Sequence, residues 1–342
     1  MASLKDVALL SGVSPSTVSR AINSPQMVDP NTLKNIRSAM KKLNYRPNLM
    51  ASGLRSKSSK QIALVVPDAV HYTSASVIQH SSQILQELGY TLILGNHHNQ
   101  FETEAELLSN YFRRNIDGII LYLIFDESRA VQSLLAQEER QIPIVVVGRR
   151  INVAPLFNVS VDNHKAGLLA GEYLGSLGHK SVATITGPMM TQWARDRLDG
   201  FREGLSKYQV DLSWIYSQEG LGDFETGIAA AKQFLEEYQG KSRPTAIWAQ
   251  NDIMATGLLR HFTLCNISIP QELSLLGMDD IELATMVTPS LSTIHQPLRE
   301  LAQTAIEIIM KYRVDEAASI PSYYSIDPFL VVRESSAPPP AQ

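Results

Sequence analysis

Two groups of residues in this chain have the types and spacing to do chemistry. The first is the stretch "GVSPSTVSR", Gly12 to Arg20, which offers small polar groups around a single arginine. The second is scattered through the later chain, where polar residues directly follow short apolar runs. Asn251-Asp252 follow "TAIWAQ", Asp279-Asp280 follow "LSLLGM", and Arg195 and Arg197 lie in "WARDRLDGF". A carboxylate or amide exchanges hydrogen bonds with vicinal hydroxyls, and a guanidinium spans two of them. Tyr72, Tyr122, Trp193 and Phe224 add aromatic faces that suit the C–H face of a sugar ring. The competing reading is plain: Asp-Asp after a strand is also a turn, and an aromatic at a helix start is also core.

Other chemistries lack their residues. There is no G-x-x-x-x-G-K-[ST] phosphate loop, no strand-following G-x-G-x-x-G and no G-x-S-x-G elbow. His97-His98 has no Cys or His partner at finger-type spacing, so no metal site is expected. We therefore expect neither an enzyme nor a bound cofactor.

The elements that must position these residues differ along the chain. The 342 residues, 44% apolar and 19% charged, suit two or three structural units. A lone Cys265 rules out an internal disulfide and points to a reducing compartment. The apolar residues of the N-terminus are interrupted by Lys5 and Asp6, so neither a signal peptide nor a membrane anchor is expected, and the protein reads as cytoplasmic. The net charge is −4, but residues 1–60 hold ten Lys and Arg against Asp6 and Asp29 alone. A strongly basic head thus precedes an acidic body, which favours an anionic partner for the head.

Three short helices are expected in that head. Ser3 with Asp6 resembles a capping box for a helix from Leu4 to Leu10, and Gly12 ends it. Ser14 is the N-cap and Pro15 the first residue of a second helix. Val18, Ala21 and Ile22 share its packing face, and Ser16, Ser19, Arg20 and Asn23 share the other. Small residues let a backbone approach a partner closely, and an arginine reaches a guanine edge with two hydrogen bonds. Asp29-Pro30 opens a third helix with the stripe Leu33, Ile36, Met40, Leu43. This is the helix-turn-helix plan, in which the second helix reads DNA. From Gln61, β-branched runs alternate with amphipathic stretches, which predicts two parallel sheets covered by helices on both faces. Ligands in such sheets sit beyond the carboxyl ends of the strands.

The stretch "LKDVALLSGVSPSTVSRAINSPQMVDPNTLKNIRSAMKKLNYRPNLMASGLRSKSS" resembles the DNA-binding head of the LacI/GalR family of bacterial repressors. "RLDGF", "AQNDIMATG", "LLGMDDIELA" and "LSTIHQPLRELAQTAIEII" are similar to the family's effector-binding half. The resemblance implies an α/β protein: an N-terminal all-α helix-turn-helix head with a hinge helix, then a two-lobed periplasmic-binding-protein-like body with parallel sheets. It places the head at 1–46, hinge and linker at 47–60 and the body at 61–333, and the Pro-rich composition of "SSAPPPAQ" predicts a disordered tail at 334–342. Chain crossings near Val161, Thr293 and Ser322 would give a first lobe of 61–161 plus 293–321 and a second of 162–292 plus 322–333.

The same resemblance assigns base reading to Pro15, Ser16 and Arg20. Ser14, Thr17, Ser19, Asn23, Asn48 and Ala51 complete the DNA-facing set, and Leu54 is the minor-groove wedge. It assigns effector contact to Arg197, Asn251 and Asp279, with Phe224 in an aromatic pocket position beside Tyr72, Tyr122 and Trp193. Two departures stand out. The hinge has Ala51-Ser52-Gly53-Leu54 where many members have Ala-Arg-Ser-Leu, and the first lobe has His71-Tyr72-Thr73-Ser74 where many have Asn-Pro-Phe-Phe. The expected function is a homodimeric repressor of carbohydrate-utilisation genes, released from a palindromic operator by a sugar or sugar derivative. A sugar-binding module of a transport system and a sugar-processing enzyme are the alternatives. The first would need a secretion signal in place of the basic head, and the second a catalytic constellation.

Overall fold

The structure, a computed structural model, describes residues 2–45, 58–98, 100–114, 116–122, 142–149, 156–217, 222–314 and 319–340. The chain divides into two compact units, Met1–Lys60 and Gln61–Gln342.

The first unit holds α1 (Leu4–Ser11), α2 (Pro15–Asn23), a short 3-10 turn (Pro25–Met27) and α3 (Pro30–Lys42). Each helix start is fixed locally. Ser3 and Asp6 form a reciprocal capping box, and Gly12 closes α1 at φ 69°. Ser14 Oγ accepts from Thr17 N at 3.1 Å ahead of Pro15. Asp29 Oδ1 accepts from Asn31 N and Thr32 N ahead of Pro30. Val7, Ala8, Val18, Ala21, Ile36 and Ala39 are buried together as the core, with Leu33, Met40 and Leu43 packed against them.

The second unit contains two six-stranded sheets. The first is built from β1 (Gln61–Val66), β2 (Thr91–Asn96), β3 (Gly118–Tyr122), β4 (Ile144–Val147), β5 (Phe157–Val161) and β11 (Tyr323–Ile326), in the order β11-β5-β4-β3-β1-β2. Every pairing in it is parallel. The second is built from β6 (Ser181–Thr186), β7 (Asp211–Ser217), β8 (Ala246–Ala249), β9 (Ser274–Asp279), β10 (Ser292–His295) and β12 (Phe329–Val331), in the order β12-β10-β9-β8-β6-β7. Only β12 runs antiparallel, against β10. The central strands are buried along their whole length, as parallel strands covered on both faces must be. Helices α4 (Tyr72–Glu87), α5 (Phe101–Arg113) and α11 (Leu298–Arg313) accompany the first sheet. The second is accompanied by α6 (Asn163–Ser176), α7 (Gln192–Ser206), α8 (Phe224–Glu237), α9 (Asp252–Leu264) and the short α10 (Leu283–Met286). No helix of the described residues is long and apolar enough to cross a membrane.

The chain passes between the sheets after β5, after β10 and between β11 and β12. The last two passages fall later than the expected Thr293 and Ser322. Thr293 still pairs with Gly277 and Val331 in the second sheet, and Tyr323–Ile326 pairs with β5 in the first. Both passages come at prolines, Gln296-Pro297 and Asp327-Pro328, and a proline has no N–H to continue a ladder. The expected disordered tail at 334–342 is also corrected over its first residues. Ser335 is fully buried, and Leu275 N donates to its carbonyl at 2.7 Å. Its Oγ donates to Leu275 O at 2.7 Å and accepts from Ser292 N at 2.8 Å. Ala337 N donates to Ser274 Oγ at 3.0 Å, so the segment is sewn to the edges of β9 and β10.

Candidate functional site

In the head, the two faces of α2 separate as their residue types require. Val18 and Ala21 are buried, Pro15, Ser16 and Arg20 are exposed, and Thr17 and Ser19 are half-buried. Ser14 Oγ lies 2.7 Å from Ser16 Oγ and 2.9 Å from Thr17 Oγ1, so three hydroxyls converge at the helix start. One turn on, Arg20 stands on the same exposed side. A compact hydroxyl cluster beside a long cation admits a close-approaching anionic surface and lets the arginine reach past it. The Asn23 side chain and residues Asn48, Ala51 and Leu54 lie outside the described residues.

In the body, one cleft collects the polar ends of strands from both sheets. Its volume is about 640 Å³, including its open mouth. The second sheet and its helices contribute Asn163, Trp193, Arg197, Gln250, Asn251 and Asp279. Across the cleft stand His71, Thr73, Tyr122 and Gly148, with Gln296, Leu298 and Leu301 arriving from the passage into α11. Parallel strands bring these together because every strand ends on the same edge, where the following turn is free to carry polar groups.

Arg197 is the anchor of the second-sheet wall. Its Nε donates to Asn163 Oδ1 and its Nη1 to the Gln250 carbonyl, both at 2.8 Å. The Trp193 ring lies over the guanidinium, 4.7 Å from Cζ. Burial lowers the Arg197 pKa to about 10, and the neighbouring Asp279 and Tyr122 oppose that shift. Asp279 shows the converse. Burial raises its carboxyl to about 6, while Arg197 and a hydrogen bond from Gln296 Nε2 hold it down. A buried cation and a buried carboxylate therefore share one wall, close to mutual neutralisation.

Asp279 is aimed by a strained turn. Asp279 and Asp280 have φ of 116° and 59°, both outside ordinary L-residue space. Asp280 is held by His295 Nδ1 at 2.8 Å and Arg333 Nη2 at 2.5 Å, and His295 stacks on Phe329 with centroids 4.4 Å apart. Asp252 secures the next residue: its Oδ2 accepts from Ile281 N at 3.0 Å, and Thr293 Oγ1 meets its Oδ1 at 2.6 Å. Burial raises the Asp252 carboxyl well above the usual range, and Asp279 adds to the rise. On the opposite wall, His71 Nδ1 lies 2.9 Å from Thr73 Oγ1, and Thr73 also bonds the Tyr122 hydroxyl. Burial pushes Tyr122 up to about 12 and pulls His71 down.

Of the seven residues expected to contact an effector, Tyr122, Trp193, Arg197, Asn251 and Asp279 line this cleft. Tyr72 and Phe224 do not. Tyr72 is the first residue of α4, 48% exposed, and faces a neighbouring groove with Asp280, His295 and Arg299, while the preceding His71 takes the cleft position. Phe224 opens α8, where its carbonyl packs against Gly257 of α9. Asn251 reaches the cleft but its amide is already engaged. Oδ1 caps α9 through Met254 N at 2.7 Å, and Nδ2 donates to Gly222 O at 2.9 Å. His71, Thr73, Asn163, Gln250 and Gln296 line the cleft without having been singled out as contacts. Asn163 and Gln250 each follow a strand end, which is the signal that would have found them. Among the described residues, no group of three or more His, Cys, Asp or Glu is placed to hold a metal ion.

Comparison with known proteins assigns both units. "Bacterial regulatory proteins, lacI family" matches residues 3–48, and "Periplasmic binding protein-like domain" matches residues 172–336. The HTH-type transcriptional repressor PurR of Photobacterium profundum is 33% identical over 340 residues, 98% of each chain. Among solved structures, the lac repressor dimer bound to operator and the anti-inducer ONPF superposes with a TM-score of 0.85 at 25% identity, covering 98% of this chain and 99% of that one. The complex of the transcriptional regulator CelR with cellobiose superposes with a TM-score of 0.70 at 25% identity, covering 98% and 100%.

Proposed function

The chain belongs to the LacI family of bacterial regulatory proteins, which are DNA-binding transcriptional repressors, and from that premise we propose that it is a sugar-responsive repressor. It binds a palindromic operator as a homodimer, with Ser16 and Arg20 of each head reading one half-site. The lac repressor structure, a dimer on its operator, supports this arrangement. A neutral polyhydroxylated molecule in the body cleft releases it. The observation that carries the effector class is the buried Arg197–Asp279 wall under Trp193. It supplies donors and an acceptor side by side with almost no net charge, and an aromatic face beside them, as a polyol requires. The protein acts by binding, without catalysis, in the cytoplasm.

A second reading has its own support. The 33% identical relative carries the name PurR, which points to a purine, and Trp193 and Tyr122 would also receive a flat base. Two measurements test the proposal. A gel shift with operator-like duplexes should show salt-sensitive, sequence-dependent binding, and its absence would remove the DNA reading. A thermal-shift screen against sugars and purine bases should return a sugar that raises the melting point and weakens the gel shift. A purine base as the only stabilising compound would replace the sugar.

A further inference from the structure

Gln250 follows β8, lines the cleft and is 1% exposed. Its backbone carbonyl receives Arg197 Nη1 at 2.8 Å, so the residue already orients the anchor of the wall. Its side-chain amide is fixed as well. Gly187 N lies 3.1 Å from Oε1, and because a backbone N–H can only donate, the atom facing it must be the oxygen. The NH2 group is therefore turned the other way, where Nε2 is covered from solvent and meets no acceptor. Buried polar groups in folded proteins are overwhelmingly paired, so an amide held in this orientation with an unmet donor calls for a partner from outside the chain. An aromatic ring stands beside it. The Trp193 ring packs against Gly187, the residue that holds the Gln250 amide, and over Arg197.

We propose that Gln250 is a specificity-determining residue of the cleft, whose Nε2 donates to an oxygen acceptor of the bound effector once that molecule seats against Trp193. The inference rests on the reading of the cleft as the effector site. It adds a requirement that Arg197 and Asp279 do not impose. The effector must present a hydroxyl, ether or carbonyl oxygen to the β8 end of the wall, next to the oxygen that Arg197 takes. A molecule lacking that oxygen leaves the buried amide unmet and is rejected, which is how a hydrogen-bonding site discriminates more sharply than an apolar one.

The test compares the full chain with Gln250→Met, which keeps the length and removes the amide. The second variant, Gln250→Glu, keeps an oxygen for Gly187 N–H and replaces the donor with a second oxygen. Each protein is titrated by thermal shift with D-ribose, D-glucose, cellobiose and adenine. The expected result is that at least one sugar stabilises the wild type and that its affinity falls roughly 10- to 100-fold in both variants, on the scale of a buried hydrogen bond left unmade. Gln250→Met leaves the buried Gly187 N–H without its acceptor and should melt below the wild type, whereas Gln250→Glu keeps that acceptor and is the variant that isolates the lost donor. A sugar that binds wild type and Gln250→Glu equally overturns the inference while leaving the effector site standing. Binding of adenine alone, which has no oxygen, overturns both the sugar reading and the oxygen acceptor. No stabilisation of the wild type by any of the four overturns the effector reading and the inference with it.

Discussion

Arg197 is held in place by a close approach of two helices, and that approach can be broken with one methyl group. Where α6 crosses α7, Gly167, Gly171, Gly200 and Gly204 bring the two backbones into contact. A Cβ on Gly167 would lie 1.9 Å from the Arg197 carbonyl, and one on Gly200 would lie 1.9 Å from the His164 carbonyl. Ordinary contact begins at 3.4 Å, so Gly167→Ala must part the helices by roughly 1.5 Å, and no flexible side chain stands there to yield instead. The Arg197–Asn163 hydrogen bond, 2.8 Å long and strung between these same helices, would then stretch past hydrogen-bond reach. Overpacking of this kind costs about 1–3 kcal/mol, and the upper end applies where backbone meets backbone. The melting point should fall by roughly 5 °C or more. Gly175→Ala is the comparison. On the same helix, its Cβ would meet Tyr208 Cγ at 2.6 Å and Tyr208 Cβ at 2.7 Å, so the backbone must give there too, but at the end of the crossing away from Arg197. The gain of about 0.5–1 kcal/mol from replacing a helical glycine offsets only part of that cost. Both variants should melt lower by circular dichroism, and effector titration separates them, with the loss of affinity in Gly167→Ala alone. A Gly167→Ala protein that binds effector as tightly as Gly175→Ala would refute the claim that the glycines set the position of Arg197.

Three further outcomes follow from named groups. Arg20→Ala should lose sequence preference by about 1–3 kcal/mol per contacted base pair, whereas an equal loss on all duplexes would make Arg20 a phosphate clamp. Ser14→Ala removes the cap of α2 and should destabilise the head by about 1 kcal/mol, read as a lower melting temperature and weaker operator binding. His179 is fully buried, bonded through Nδ1 to Thr245 Oγ1 at 2.7 Å, and burial lowers its pKa from 6.5 to about 4. Between those values the unfolded chain takes up a proton that the folded chain refuses, so this contribution to stability is lost as pH falls from 6.5 towards 4. His179→Gln should flatten the dependence of melting temperature on pH in that window, and an unchanged slope would count against it.

The head was legible because its determinants are local. Ser3 with Asp6, Ser14 with Pro15 and Asp29 with Pro30 each fix a helix start within four residues, and all three are observed. The body was legible in its alternation, and Arg197, Asp279, Trp193 and Tyr122 do meet in one cleft. What escaped was set by contacts distant in sequence. Asn251 has the right type and place, but its amide is committed to Met254 and Gly222, which no spacing reveals. Gln250, one residue earlier, was passed over because a neutral amide after a strand carries no signature until its partner at Gly187 is known. The tail "SSAPPPAQ" has the composition of a disordered segment, yet Ser335 is pinned to Leu275 and Ser292 some forty to sixty residues away. The crossings were marked in the sequence by Pro297 and Pro328, and reading those prolines as strand stops would have placed them.

The distribution of the cleft residues also constrains how an effector can act at a distance. Arg197, Asn163, Gln250 and Asp279 all belong to the second sheet and its helices, and Arg197 is bonded to Asn163 and Gln250 without a ligand. A molecule touching these groups alone would bind every relative arrangement of the two sheets equally. Such a ligand shifts no equilibrium, however tightly it binds. Differential affinity must come from contacts that bridge, and the groups available across the cleft are His71, Thr73 and Tyr122. His71 and Thr73 sit where the sequence departs from the family pattern, at His71-Tyr72-Thr73-Ser74, and Tyr122 ends β3 beside them. Their mutual hydrogen bonds hold the Tyr122 hydroxyl and the His71 ring in a single polar array. Tyr122→Phe should therefore leave much of the binding energy supplied by Arg197 and Asp279 intact while reducing the effect of the bound molecule on operator affinity. Effector titration and gel shift on the same protein measure the two quantities. Equal losses in both would mean that the second-sheet wall alone drives the response, contrary to this argument.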